Sequence, residues 1–174
     1  MTTSPDPVEA TTEHRPDASG SDVSVAAHPA DDGDGHGDGH HDDAPEPTMS
    51  VLLYSDDAEV RESVRLAVGR RAAADLPLIR WTEVATPKAA IDAVDGGGLD
   101  VLVLDGEAVP AGGMGLCKQL KDEIFQCPPV LVLTGRPQDA WLATWSRADL
   151  AVPHPLDPIA VAQAVADLAR QRLG

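Results

Sequence analysis

The fold of this chain is decided by the stretch Val101-Leu102-Val103-Leu104-Asp105 and by the segment that begins eight residues after it, Gly113-Met114-Gly115-Leu116-Cys117-Lys118-Gln119-Leu120. An unbroken run of Val and Leu predicts a strand that is buried on both faces of a parallel sheet. Open α/β sheets form their sites at the carboxyl ends of the strands, and Asp105 stands at such an end. The two segments therefore predict a strand, a site centred on Asp105 and a following helix.

Strand and helix patterns alternate five times between residues 49 and 174. The predicted strands cover residues 50–54, 78–84, 100–105, 129–134 and 150–152. The predicted helices start at caps such as Asp57, Thr86-Pro87 and Asp157-Pro158, and the third and fourth cover residues 113–123 and 137–146. This alternation predicts a flavodoxin-like, doubly wound parallel α/β sheet with strand order 2-1-3-4-5.

Charge and composition divide the chain at about residue 48. Residues 1–48 hold 12 acidic residues and one basic residue, Arg15, whereas residues 49–174 hold 17 acidic and 12 basic residues. The first segment is rich in Asp, Gly, Pro and His, and it cannot bury enough apolar surface to offset the entropy of ordering. We expect a disordered, low-complexity acidic tail over residues 1–48 and one domain over residues 49–174.

Several functional classes are disfavoured by composition. No segment resembles a signal peptide or a transmembrane helix, so we expect a cytoplasmic protein without direct membrane insertion. The acidic balance and the absence of a basic stripe argue against nucleic-acid binding. Cys117 and Cys127 lack metal-ligand or redox spacing, and we interpret them as packing residues.

Four motifs, in the right order and spacing, resemble the receiver domain of two-component response regulators over residues 49–174. They are Ser55-Asp56-Asp57, Asp105 with Gly113, Thr134-Gly135, and Pro153-His154-Pro155-Leu156-Asp157-Pro158. The resemblance implies that Asp105 is the phospho-acceptor position and that Thr134 meets the phosphoryl group. It also implies a weak Mg²⁺ site formed by Asp56, Asp105 and the backbone of Glu107.

The sequence departs from the family pattern at four places. Ser55 replaces the first acid of the pair, His154 replaces the lysine, Ala151 replaces the aromatic switch residue, and the loop proline is shifted to Pro110. Loss of one carboxylate weakens the hold on a hard cation, so no cofactor is expected to be required. Histidine is shorter than lysine and largely neutral near pH 7. If the negative charges of Asp105 and Asp56 favour the protonated form of His154, the result is a salt-bridged site without metal.

Trp141 and Trp145 lie four residues apart in the predicted fourth helix, so they share one face. One interpretation is that this face packs on the sheet. The other is an exposed pair that anchors a protein interface, since Trp is enriched at interface hot spots and receivers use the surface of the fourth helix, fifth strand and fifth helix for partners.

Three functions remain open from the sequence. The first is an orphan, atypical receiver-only regulator of the actinobacterial or mycobacterial type. It would be a non-enzymatic binding module, because no output domain follows the fifth helix, and it would act without phosphorylation, because Ser55, His154 and Ala151 depart from the family pattern. Its resemblance suggests a large multi-subunit partner, for which we name the respiratory NADH:quinone oxidoreductase (complex I) at the cytoplasmic face of the membrane. The second is a single-domain response regulator phosphorylated on Asp105 by a phosphorelay with a histidine kinase. The third is metal binding by the His/Asp-rich residues 31–43.

Overall fold

A computed structural model describes residues 46–174 of the protein. The expected tail and its metal-binding segment lie outside these residues, except for residues 46–48. The sheet consists of β1 (Thr48–Tyr54), β2 (Leu78–Val84), β3 (Val101–Asp105), β4 (Val130–Thr134) and β5 (Leu150–Pro153). All neighbouring strands pair in parallel, in the order β2-β1-β3-β4-β5. The predicted flavodoxin-like sheet is therefore confirmed.

Helices connect the strands and cover both faces of the sheet. They are α1 (Ala58–Val68), α2 (Pro87–Asp95), α3 (Gly113–Glu123), α4 (Ala140–Trp145) and α5 (Pro158–Leu173). Asp57, Thr86 and Asp157 each cap a helix by accepting a hydrogen bond from a backbone N–H of its first turn, as the sequence predicts. None of the helices in this range is long and apolar enough to cross a membrane.

The fourth helix is shorter than the predicted segment 137–146. Residues Pro137–Asp139 form a 3₁₀ turn in which the Asp139 N–H donates to the Arg136 carbonyl, and only six residues of α-helix follow. Proline at the start has no N–H and is accepted in a first turn, where the tighter geometry is common. The segment therefore begins as 3₁₀ and presents a short helical face.

The core has one layer on each side of the sheet because successive strand residues point to opposite faces. Val51, Leu53, Val103 and Leu133 pack with α1 and α5, whereas the other layer, on the side of α2 and α3, contains Leu52, Tyr54, Leu102, Leu104 and Val132. Every residue of β3 and β4 is buried. The prediction of a strand buried on both faces at residues 101–105 is confirmed.

Glycines let the loop after β3 fold back onto the strand. A Cβ on Gly113 would lie 2.6 Å from the Asp105 carbonyl oxygen, and one on Gly112 would lie 2.5 Å from the Gly106 carbonyl oxygen. Real Cβ atoms do not approach backbone atoms that closely, so glycine is needed here for space. As a result α3 starts directly against the end of β3, beside Asp105.

Candidate functional site

Asp105 is a buried carboxylate with a donor on each oxygen. Its side chain closes β3 and the residue is only 2% exposed. Oδ2 accepts a hydrogen bond from the Ser55 hydroxyl at 2.7 Å, and Oδ1 accepts one from the Glu107 N–H at 3.0 Å. Hydrogen bonds to an ionised group are stronger than neutral ones, and a buried charge requires them. The protein itself therefore stabilises the Asp105 carboxylate.

Ser55 is fixed in the position where the family has its first acid. The residue follows β1, is completely buried, and its Oγ accepts a hydrogen bond from the Asp57 N–H at 3.1 Å. The Ser55 carbonyl accepts from the Arg61 guanidinium at 2.5 Å, and Arg61 lies 3.6 Å from a Glu83 carboxylate oxygen on β2. Because Oγ already accepts from Asp57, its own proton is directed to Asp105.

Tyr54 and Asp56, the neighbours of Ser55, both hold the loop after β3. The buried Tyr54 hydroxyl donates to the Ala111 carbonyl at 2.6 Å, and Asp56 Oδ1 accepts from the Val109 N–H at 3.1 Å. Burial, and then the charges of Asp56 and Asp105, raise the pKa of Tyr54 above its ordinary value. The role of Tyr54 was missed from the sequence, although a tyrosine in a buried strand signals that its hydroxyl needs a partner.

A cavity of about 490 Å³ opens beside Asp105 at the carboxyl edge of the sheet. The structure brings most of the predicted site residues to its wall: it is lined by Asp56, Asp57, Val60, Asp105, Glu107, Gly135 and His154. Parallel strands end at one edge, which explains why residues so far apart in the sequence meet here. Of the other predicted positions, Ser55 and Thr134 are buried beside the cavity rather than in its wall.

Thr134 and His154 lie on the far side of Asp105. Thr134 is buried, and its hydroxyl donates to the Arg136 carbonyl at 3.3 Å. The backbone N–H of His154 donates to the Thr134 carbonyl at 2.8 Å. This contact holds residue 154 at the wall of the cavity. Over residues 46–174 the imidazole forms no ion pair with a carboxylate. The salt-bridged site that the sequence suggested is therefore not formed in this arrangement.

The oxygens that would bind Mg²⁺ already have protein donors. Both oxygens of Asp105 and one of Asp56 accept hydrogen bonds from Ser55, Glu107 and Val109. In the part of the chain that the structure describes, no three His, Cys, Asp or Glu side chains are arranged to hold a metal ion. Mg²⁺ commonly keeps several waters and binds only one or two carboxylates, so the weak Mg²⁺ site at Asp56, Asp105 and the Glu107 backbone stays a prediction.

Trp141 and Trp145 lie on the outside of α4. They are 66% and 55% exposed, and the neighbouring Leu150 of β5 is also exposed. The interpretation that this pair packs on the sheet is wrong for the observed fold, because the buried side of α4 is formed by Ala143. A role in a protein interface stays a prediction.

Comparison with known proteins identifies relatives that cover most of the domain. Two curated proteins from two strains of Mycobacterium tuberculosis, each called an uncharacterized response regulatory protein, are 55% identical over 122 residues, which is 70% of this chain and 92% of theirs. No protein-family model matches the chain.

Solved receiver domains share the fold at low sequence identity. The receiver domain of the Francisella response regulator 1452 has a TM-score of 0.61 at 19% identity and covers 71% of this chain and 98% of its own. A LuxR-family two-component response regulator from Aurantimonas has a TM-score of 0.61 at 22% identity over 72% of this chain and 88% of its own. A BeF3-activated DrrB receiver domain has a TM-score of 0.58 at 18% identity, covering 71% and 99%.

Proposed function

Because the chain belongs to the response-regulator receiver family, we propose that it is a protein-binding module whose binding does not depend on phosphorylation of Asp105. The observation that carries this proposal is the Ser55–Asp105 hydrogen bond of 2.7 Å. In this arrangement the acceptor carboxylate is 2% exposed and is stabilised by a neutral hydroxyl and a backbone N–H. A site of this kind has no need of a cation or of a phosphoryl group to complete it.

The balance of charge at the cavity supports the same proposal. Among residues 46–174, four acidic residues line it, Asp56, Asp57, Asp105 and Glu107, and the one basic residue in its wall is His154. Phosphoryl transfer depends on neutralising the charge of the transferred group, for which a point charge such as lysine is suited. An anionic phosphoryl donor therefore meets a negative surface at this site.

The residue at the position that would report phosphorylation also supports the proposal. Ala151, which stands at the aromatic switch position implied by the resemblance, is half-buried on β5 and has no ring to reorient. The exposed Trp141 and Trp145 nearby do not need such a switch to contact a partner. We propose that the surface around Trp141 and Trp145 is available to a partner at all times. We also propose that the protein is not an enzyme.

The first experiment is phosphorylation by acetyl phosphate with Mg²⁺, followed by intact-protein mass spectrometry. We expect no phosphorylated fraction for the wild type or for Asp105→Asn, which controls for labelling elsewhere. The double variant Ser55→Asp/His154→Lys restores both family residues and serves as the matched comparison. Phosphorylation of the wild type at Asp105, at a rate similar to the double variant, would refute the proposal.

The partner is a separate question, for which we propose a large multi-subunit complex, with the respiratory NADH:quinone oxidoreductase as the candidate to test. The experiment is affinity purification of the tagged protein from solubilised native membranes and from cytosol. We expect the same complex with the wild type and Asp105→Asn, and its loss with Trp141→Ala/Trp145→Ala. Recovery of a histidine kinase alone, lost in Asp105→Asn, would contradict the proposal.

A working single-domain response regulator is the second candidate. One observation favours it, because Asp56, Asp105 and His154 meet at one open cavity next to Thr134. The acetyl phosphate experiment separates the two candidates directly. Metal binding by residues 31–43 stays a prediction, since that segment lies outside the described residues.

A further inference from the structure

The outer backbone edge of β2 is open at Trp81 and Glu83. β2 is an edge strand, and its even-numbered residues face β1, because the Leu78 N–H donates to the Pro47 carbonyl. Backbone groups alternate in direction along a strand, so those of residues 79, 81 and 83 point away from the sheet. The Ile79 N–H donates to the Arg70 carbonyl at 2.8 Å, whereas within residues 46–174 the N–H groups of Trp81 and Glu83 have no backbone partner. An edge of this kind can accept a further strand.

A groove of about 290 Å³, the β2 groove, lies between this edge and the carboxyl end of α1. It is lined by Arg65, Leu66, Gly69, Arg70, Ile79 and Trp81. Ile79 and Trp81 are half-buried and pack against the core, whereas Leu66 is 74% exposed. Gly69, which ends α1 with a φ of 71°, adds no side chain to the wall. A ligand side chain in the β2 groove would remove the apolar surface of Leu66 and Trp81 from water.

The charge at the β2 groove is opposite to the net charge of the chain. The chain carries a formal net charge of −16, whereas residues 61–80 hold five arginines and two acidic residues. Arg65 lies 2.8 Å from a carboxylate oxygen of Glu83, but Arg70 forms no ion pair within residues 46–174. Arg70 is exposed in the wall of the groove, so its guanidinium can bind a carboxylate of a ligand in two-point geometry.

The open edge, the apolar groove and the exposed arginine fit one class of ligand. We propose that the β2 groove binds an extended, acidic segment of a partner protein, which pairs with the edge of β2 and presents a carboxylate to Arg70. A strand added to a sheet edge gains affinity from main-chain hydrogen bonds and specificity from the pockets that receive alternate side chains. β2 and β5 are opposite edges of the sheet, so this surface is separate from Trp141 and Trp145 and does not depend on the proposed function.

The experiment selects peptides from a phage-displayed library of random sequences of about ten residues, with the purified full-length protein as target. A parallel selection on Leu66→Ser/Arg70→Glu, which changes two exposed side chains of the groove, identifies peptides that bind elsewhere. We expect the peptides enriched on the wild type to alternate β-branched residues with Asp or Glu. A synthetic peptide of the enriched sequence should bind about tenfold or more weakly to Leu66→Ser and to Arg70→Glu, each measured separately.

Arg80→Glu is the matched control for the change of charge. Arg80 is exposed and, like Arg70, forms no ion pair within residues 46–174, but its side chain lies on the opposite face of β2 from Trp81. The affinity should change there by less than about threefold. Amide hydrogen exchange gives a second readout, because the N–H groups of Trp81 and Glu83 should exchange more slowly with the peptide bound. The N–H of Thr82, which faces β1, should not change.

Each outcome decides for or against the β2 groove, and folding of every variant is checked by thermal unfolding. Binding of an acidic peptide that both groove variants weaken, that Arg80→Glu retains and that slows exchange at Trp81 supports the proposal. No peptide enriched on the wild type over the double variant overturns it. A wild-type dimer that Leu66→Ser dissociates in sedimentation overturns it in favour of a second copy at the edge. Slow exchange of the Trp81 N–H in the free monomer also overturns it, since the edge would then be covered within the chain.

Discussion

Replacement of Ser55 by alanine tests the hydrogen bond on which the proposed function depends. The change removes a buried hydroxyl that donates to Asp105 at 2.7 Å and accepts from the Asp57 N–H at 3.1 Å. A hydrogen bond to a charged group contributes about 1.5–3 kcal/mol, and the buried carboxylate is left with one donor fewer. We expect Ser55→Ala to lower the free energy of unfolding by about 2–3 kcal/mol, with Tm lower by roughly 6–12 °C.

The measurement is urea unfolding, with Ser63→Ala as the matched control. Ser63 is exposed on α1, so its replacement should change the free energy of unfolding by less than about 0.5 kcal/mol. A double-mutant cycle with Asp105→Asn then isolates the pair, because the amide retains the shape of the carboxylate without its charge. We expect Ser55→Ala to cost about 1 kcal/mol less in the Asp105→Asn background.

Two results would refute this reasoning. The first is a loss of less than about 0.5 kcal/mol for Ser55→Ala, which would mean that the hydroxyl does not stabilise the carboxylate. The second is an equal loss with aspartate and with asparagine at position 105. In that case the hydrogen bond would be an ordinary neutral contact, and Ser55 would be a small packing residue.

Three further predictions concern side chains outside this pair. Because burial and nearby carboxylates raise the pKa of Tyr54 above 10, the folded protein holds the phenolic proton more tightly than the unfolded chain. Stability should therefore fall as the pH rises past 10, and Tyr54→Phe should reduce that fall in alkaline urea titrations. Burial raises the pKa of the Cys117 thiol to about 11 and also raises the pKa of Cys127. Neither thiol should therefore react rapidly with a thiol reagent at neutral pH, and a fast phase of thiol labelling in the native protein would contradict this. Trp141→Ala and Trp145→Ala should each change the free energy of unfolding by less than about 1 kcal/mol, and a larger loss would mean that these rings pack against the domain.

The strands and most helices follow directly from local patterns. Segments 78–84 and 113–123 match the predicted bounds, because hydrophobic periodicity and an initial cap or glycine turn define them locally. The fourth helix was predicted too long, because the sequence pattern of a 3₁₀ turn resembles that of a first α-helical turn. Residues 137–139 form such a 3₁₀ turn. The sequence also does not show which side of so short a helix faces the sheet. For this reason the outward direction of Trp141 and Trp145 could not be predicted.

The structure brings Asp56, Asp105 and His154 to one cavity, but the contacts of the individual side chains there were only partly predictable. The family resemblance implied that Asp56, Asp105 and His154 share one site, and this fits the rule that the ends of parallel strands meet at one edge of the sheet. From the sequence, Ser55 only removes one negative charge from the site. In the structure its hydroxyl also donates a hydrogen bond to Asp105. This contact could not be predicted, because the orientation of a hydroxyl depends on partners outside its own strand. The same reason applies to Tyr54 and to Glu107, whose contacts are with residues outside their own segments.

Three consecutive residues at the end of β1 form hydrogen bonds with three separate points of β3 and its loop. Tyr54 reaches Ala111, Ser55 reaches Asp105 and Asp56 reaches the Val109 N–H. In the native register, residue 54 of β1 pairs with residue 104 of β3. A slip of one residue between these strands would break all three hydrogen bonds together and turn each side chain toward the opposite layer. The polar end of β1 therefore adds three hydrogen bonds that only the native alignment of β1 with β3 can form.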